Sequence, residues 1–220
     1  MRWRGAVMAD TGEVVVKMMV VGPIQTNCYI LYRKGSDRCV VVDPGAEGDR
    51  IAMFLKTEGL NIDAILLTHG HFDHFEGVKD LVDICGGDVY ILDKEADLIA
   101  DPRKNGSTGL MGRGKSLEVN NHLHDNDLIE KAGISFRVIH TPGHTAGGCC
   151  YYVENDGLLF AGDTIFMESV GRTDLPTGSM NEILSSVREK ILALPGDVKI
   201  FPGHGPVTDV AYEMANNPYA

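Results

Sequence analysis

The chain has 220 residues, 44% hydrophobic and 23% charged, which is enough for one packed domain of ordinary globular composition. Acidic side chains outnumber basic ones, 31 to 20, for a net charge of −11; this argues against nucleic acid as a partner, because phosphate binding needs a positive face. Cys28, Cys39, Cys85, Cys149 and Cys150 are odd in number and form no CxxC pair, so they read as reduced core thiols in a cytoplasmic protein.

Residues 1–13 read as a disordered extension ahead of a single domain over residues 14–220. Met1-Arg2-Trp3-Arg4 is basic, but Asp10 and Glu13 follow and no apolar signal-peptide core is present. Val14 to Val21 reads as a strand; Lys17 interrupts it and it is far too short to span a bilayer, so no membrane partner is expected. Cys28 to Tyr32 and Cys39 to Val42 read as a hairpin around Arg33–Asp37. Glu47 to Glu58 reads as a helix with Ile51, Phe54 and Leu55 on one face and Gly59 as its stop. The apolar strand Ala64 to Thr68 then runs into His69-Gly-His71-Phe-Asp73-His74. Phe75, Val78, Leu81, Val82 and Cys85 recur at helical spacing until Gly86-Gly87. Val89 to Leu92 is a strand and Lys94 to Ala100 a short helix. Asp101 to Ser116 is polar and glycine-rich and reads as a mobile surface loop. Strands follow at Ser135–Ile139, Gly148–Val153 and Leu158–Ala161. Ser179-Met-Asn-Glu182 is a capping box that opens a helix with Ile183, Val187, Ile191 and Leu194 on one face, ended by Gly196.

Four metal-ligand types within six residues make His69-x-His71-x-Asp73-His74 the densest chemical signal in the chain. His69 and His71 point the same way on extended backbone, and Asp73 and His74 follow where a helix begins, so one loop can serve two nearby points. Three later segments repeat a pattern of apolar run, tight turn and single ligand, ending in His144, Asp163 and His204. Strand ends that converge on one edge are a usual place for a site. Seven donors exceed one tetrahedral ion and suit two divalent ions, zinc foremost with iron or manganese as alternatives. His122-x-His124 lacks a strand edge or a further ligand and reads as a solvated hairpin. His140 alternates with apolar residues and reads as a hydrogen-bonded group.

These motifs resemble those of the metallo-β-lactamase-fold hydrolases: His69-x-His71-x-Asp73-His74, Thr141-Pro-Gly-His144, Gly162-Asp163-Thr164, Pro202-Gly-His204-Gly205 and the turn Val42-Asp43-Pro44-Gly45. The resemblance implies an α/β fold, a four-layer αββα sandwich. It implies that His69, His71 and His144 hold one metal, that Asp73, His74 and His204 hold the other, and that Asp163 bridges them. Val170-Gly-Arg172-Thr-Asp174 is similar to the short glyoxalase II-like thioesterases. By that analogy Arg172 either positions a substrate carboxylate or forms a structural salt bridge.

A divalent ion brings the pKa of bound water near neutrality, so the expected reaction is attack by a metal-bridging hydroxide on a thioester of hydroxyacyl-glutathione type. Asp73 is either a plain ligand or also an acceptor that orients that hydroxide. Asp43 is either a partner that fixes a histidine tautomer or a turn-capping residue. The expected partner is a small-molecule substrate. Only a short tail follows Pro206, where long glyoxalase II enzymes carry helices that contact glutathione, so the thiol half stays open. Alternatives are a mononuclear iron persulfide dioxygenase, which shares these motifs, a lactonase or phosphodiesterase using the same chemistry, and a non-catalytic metal-binding scaffold.

Overall fold

A computed structural model describes residues 6–10, 14–112 and 114–220. The strands are β1 (Ala6–Asp10), β2 (Val14–Val21), β3 (Thr26–Arg33), β4 (Arg38–Val42), β5 (Asn61–Leu66), β6 (Val89–Leu92), β7 (Asn121–Leu123), β8 (Leu128–Lys131), β9 (Ile134–His140), β10 (Cys149–Val153), β11 (Leu158–Gly162), β12 (Ile165–Phe166), β13 (Ser169–Val170), β14 (Lys199–Pro202) and β15 (Thr208–Asp209). The helices are α1 (Gly48–Glu58), α2 (Phe72–Phe75), α3 (Val78–Cys85), α4 (Ala96–Ala100), α5 (Ser107–Met111), α6 (Met180–Ser185) and α7 (Val210–Asn216).

Two sheets carry the fold. The first runs β1-β2-β3-β4-β5-β6-β7 and the second β15-β14-β11-β10-β9-β8. Alternation along each strand divides the apolar residues between the two faces. In β3, Tyr29 and Leu31 face the second sheet, while Cys28 and Ile30 pack with Ile51 and Leu55 of α1 and Leu81 of α3. In β10, Tyr151 and Val153 join the layer between the sheets, while Cys150 and Tyr152 pack with Ile183 of α6 and the Val187 and Ile191 that follow it. Helix, sheet, sheet and helix therefore stack as the expected αββα sandwich. Among the described residues, no helix is long and apolar enough to cross a membrane.

Several elements differ from the sequence reading. Within residues 1–13, Ala6–Asp10 forms a strand that pairs antiparallel with β2; the rest of the expected extension lies outside the described residues. The His122 segment is not a hairpin: it is β7, paired parallel with β6, with His122 opposite Ile91. Within the expected loop Asp101–Ser116, the described residues around Asn105 and Lys115 are tied down. Asn105 and Ser107 are fully buried, and the Asn105 amide donates to the carbonyls of Ile99 and Lys115. Glycine content suggested looseness, yet one buried amide satisfies the turn's carbonyls. The capping box is half formed. The Ser179 hydroxyl accepts from Glu182 N–H, but Ser179 N–H donates to Gly143 O at 2.8 Å rather than to a glutamate side chain. After α6 the chain widens into a π-helical turn over Ser186–Ile191. Cys85 is exposed, whereas the other four cysteines are buried as expected.

Candidate metal centre

Parallel pairing brings the donors to one edge. β4 and β5 are parallel, so Asp43 and the Thr68–His71 segment leave the first sheet side by side. β11 and β14 are parallel, so Asp163 and His204 leave the second sheet likewise. His144 lies in the turn between β9 and β10, and α2 carries Asp73 and His74. The two edges are fastened together. Cys149 N–H donates to Thr68 O at 2.9 Å, and Asn27 N–H donates to Gly203 O at 2.7 Å. Gly203 is required by close approach: a Cβ there would overlap Asp163 Oδ1 and lie 2.7 Å from His74 Cε1.

All seven expected donors converge. His69, His71 and His144 form one tight group, Asp73, His74 and His204 a second, and His69, His74 and Asp163 a third that overlaps both. His71 Nδ1 lies 2.9 Å from His144 Nε2. Asp163 faces both sets: its Oδ1 is 3.4 Å from His74 Nε2, and its Oδ2 is 3.5 Å from His144 Nε2 and 3.6 Å from His204 Nε2. His204 Nε2 is 3.2 Å from Asp73 Oδ2.

Hydrogen bonds away from the cluster fix which ring nitrogens are free. His144 Nδ1 donates to the Arg172 carbonyl at 2.7 Å, which leaves its Nε2 as an acceptor. Asp43 accepts from Thr68 N–H at 2.8 Å and from Thr68 Oγ1–H at 2.6 Å, and His74 Nδ1 donates to it at 2.9 Å. With its proton engaged, the Thr68 hydroxyl accepts from His69 Nδ1 at 3.1 Å. Asp43 therefore sets the tautomer of His74 directly and of His69 through Thr68. His69 Nε2, His71 Nε2, His74 Nε2 and Asp163 Oδ1 are buried without a hydrogen-bond partner. Lone pairs crowded in this way disfavour one another unless cations lie among them, so the donor set fits divalent metal.

Charge follows the same logic. Burial, aided by neighbouring histidines, holds His69 well below the usual imidazole range and His71 at about 3. For Asp163, burial opposes ionisation, but the adjoining imidazole of His74, followed by that of His144, outweighs it and keeps the carboxyl well below its ordinary range. Asp73 is lowered too, as His74 and His204 overcome its burial.

The cluster forms part of the wall of a cleft of about 780 Å³, with Ile24, Phe72, Phe166, Leu175 and Pro176 as apolar lining. Arg172 lines it as well, but its guanidinium makes a two-point ion pair with Asp174, both contacts at 2.7 Å. Its side chain is thus ion-paired at the cleft wall, while its carbonyl orients His144. His122 and His124 stand exposed and outside every donor group. His140 is half-buried, with Nε2 against Ala146 O at 2.8 Å.

Sequence reading missed Thr68, the relay to His69, and a strap at the start of β3. There Thr26 Oγ1 donates to Asp73 at 3.2 Å, and the Asn27 amide donates to the carbonyls of Pro202 and Gly205. Their signal in the sequence is faint: a Thr-Asn pair opening a strand looks like any turn.

Asp43→Asn keeps the side chain's shape and tolerates the backbone φ of 49° found there, removing mainly acceptor capacity. It is expected to weaken divalent-metal affinity about 10–100-fold in a chelator-competition titration. Unchanged affinity would remove Asp43 from the tautomer relay.

Fold and site together define a protein with a His/Asp metal-binding centre at the edge of an αββα sandwich. The chain belongs to the Metallo-beta-lactamase superfamily, whose family model matches residues 21–204. It is 39% identical to the probable metallo-hydrolase YqgX of Bacillus subtilis, over 92% of this chain and 96% of that one. It is 28% identical to the hydroxyacylglutathione hydrolase GloC of Haemophilus influenzae, over 93% and 97%. Among solved structures, BLEG-1 B3 metallo-beta-lactamase superposes with a TM-score of 0.89 at 39% identity, covering 93% of this chain and 98% of that one. TTHA1623 in a di-iron-bound form gives 0.80 at 31%, covering 92% and 99%.

Proposed function

We propose that this chain is a metal-dependent thioesterase of the cytoplasm that holds two divalent ions and cleaves a hydroxyacyl thioester of a low-molecular-weight thiol. The observation that carries the reading is the seven-donor cluster opening onto a cleft of small-molecule size. Similarity to GloC supports the substrate class. Bound metal would supply an ionised water as nucleophile and a Lewis acid for the carbonyl oxygen. His69, His71 and His144 would hold one ion and Asp73, His74 and His204 the other, with Asp163 between them. Thr68 and Asp43 keep His69 and His74 in the ligating tautomer. Asp73 would serve as a ligand and would also accept a hydrogen bond from the attacking water. As ligands, Asp73 and Asp163 would both be carboxylates, so neither would offer a proton to a leaving group. A thiolate leaves without one, which favours a thioester over an amide.

Zinc is the first choice from the nitrogen-rich donor set, and iron is supported by the di-iron form of TTHA1623. A second reading, β-lactam hydrolysis, is favoured by likeness to BLEG-1 at 39% identity. The test is elemental analysis of anaerobically purified protein, then assays on S-lactoylglutathione, other acyl thioesters, a lactone, a phosphodiester, a β-lactam and glutathione persulfide. Turnover of thioesters above the rest supports the proposal. No thioester turnover overturns it, and oxygen uptake on the persulfide with one iron per chain replaces it with a dioxygenase.

Metal removal gives a further check. Dialysis against a strong chelator is expected to lower the melting temperature, because ions that bind only the folded state stabilise by mass action, about 2.7 kcal/mol at a free concentration of 100 Kd. Re-addition of zinc should restore it. A melting temperature indifferent to both would count against an ordered metal centre.

A further inference from the structure

We infer that Glu95 is a positioning residue whose side chain clamps the His69-Gly70-His71 loop against the loop that follows His144, setting how tightly the centre holds metal. The inference rests on the proposed metal centre. Glu95 stands just before α4, outside every donor group, and is completely buried. Its Oε2 accepts from Gly70 N–H at 2.7 Å, and its Oε1 accepts from Gly147 N–H at 2.6 Å. Gly70 is the residue between two of the expected ligands, and Gly147 is three residues past a third. One carboxylate therefore spans two chain segments from opposite sheets, and both short bonds run from amides to what is, when ionised, a charged acceptor.

The surroundings are shaped to this contact. A Cβ on Gly147 would lie 2.6 Å from Glu95 N and 2.8 Å from its Cγ; one on Gly70 would lie 2.9 Å from Leu98 Cδ2 and 3.1 Å from Glu95 Oε2. Both loops can approach Glu95 only because they carry glycine there. Burial pushes the carboxyl above its ordinary range, against the lowering effect of the Thr145 hydroxyl and then of the two amides. A buried carboxylate is costly unless its neighbours use it, so a mere filler of this space would be apolar. His71 and His144 carry the Nδ1 and Nε2 atoms 2.9 Å apart, and their spacing depends on how closely the two loops are drawn together.

The test is zinc titration of the apoprotein against a chromophoric chelator, for wild type, Glu95→Gln, Glu95→Asp and Val187→Ala. Glutamine offers one acceptor and turns an N–H toward the other amide; aspartate is one methylene too short to reach both. Val187 is buried in the π-helical turn after α6, takes no part in the clamp's hydrogen bonds, and serves as a destabilised control. Glu95→Gln is expected to weaken zinc binding about 10–100-fold, with Glu95→Asp between it and wild type and Val187→Ala within about twofold of wild type. The clamp is overturned if both Glu95 variants bind within about twofold of wild type, or if Val187→Ala loses as much as they do. Wild-type apoprotein that takes up neither zinc, manganese nor iron overturns the metal centre itself, which is a different result.

Discussion

Asp163→Asn is expected to reduce metal content below that of wild type and to lower thioester turnover at least about 100-fold. Its carboxylate faces both donor sets, with His74 on one oxygen and His144 and His204 on the other. An amide presents one acceptor and one donor, so it cannot serve two cations at once. In the proposed two-ion centre, the negative charge that would offset the ions falls as well. The variant should keep the fold, because the substitution is isosteric and Asp163 lies at the end of β11 rather than in a core layer. Circular dichroism checks the fold, elemental analysis the metal, and a thioester assay the rate. Full stoichiometry with near wild-type turnover would show that the two donor sets do not share this carboxylate.

Phe160→Ala should produce the largest loss of stability. Phe160 is fully buried between the sheets, stacked on Phe201 at 4.9 Å and edge-on to Tyr29 at 5.4 Å. Truncating such a ring removes its transfer energy and leaves a cavity, for about 3–5 kcal/mol. That is a large share of a typical stability of about 5–15 kcal/mol. For a chain of this size each kcal/mol moves the melting temperature by about 2–4 °C, so a fall of roughly 6–20 °C is expected. The lesion also reaches the site. Phe160 lies three residues before Asp163 and Phe201 three before His204, and the Tyr29 hydroxyl donates to Pro202 O at 2.7 Å. Leu128→Ala is the contrast: its side chain is 71% exposed, and the expected change is within about 0.5 kcal/mol. Equal losses for the two variants would show that the aromatic trio is not the mechanical base of the site.

Much of the fold is legible because burial leaves a periodic trace. The two-residue alternation in β3 and β10 reports two apolar faces, and the spacing of Ile51, Phe54 and Leu55 reports one helix face. Where local residues serve a distant partner, the trace misleads. Ser179 has the pattern of a full capping box, yet its amide is taken by Gly143. The glycines of Asp101–Ser116 suggest a loose loop, yet Asn105 fastens it. His122 lies in a strand too short and too exposed to show alternation.

The seven candidate donors were readable from local pattern, because four crowd into His69–His74, where β5 gives way to α2, and His144, Asp163 and His204 each follow a strand at a turn, and imidazole and carboxylate at such spacings have few other uses. Their meeting point was not. It arises because β4 pairs parallel with β5 and β11 with β14, joining residues about 25 and 40 positions apart, and because the two sheets are fastened together by bonds such as Asn27 N–H to Gly203 O, 176 positions apart. The same holds for the supports. Thr68 acquires its task from Asp43, 25 residues away, and Glu95 joins glycines 25 and 52 residues distant. A hydrogen bond between remote segments imposes no period on either, so sequence determined the donors and the layers, while tertiary packing alone decided the tautomers, the clamp and the spacing of the centre.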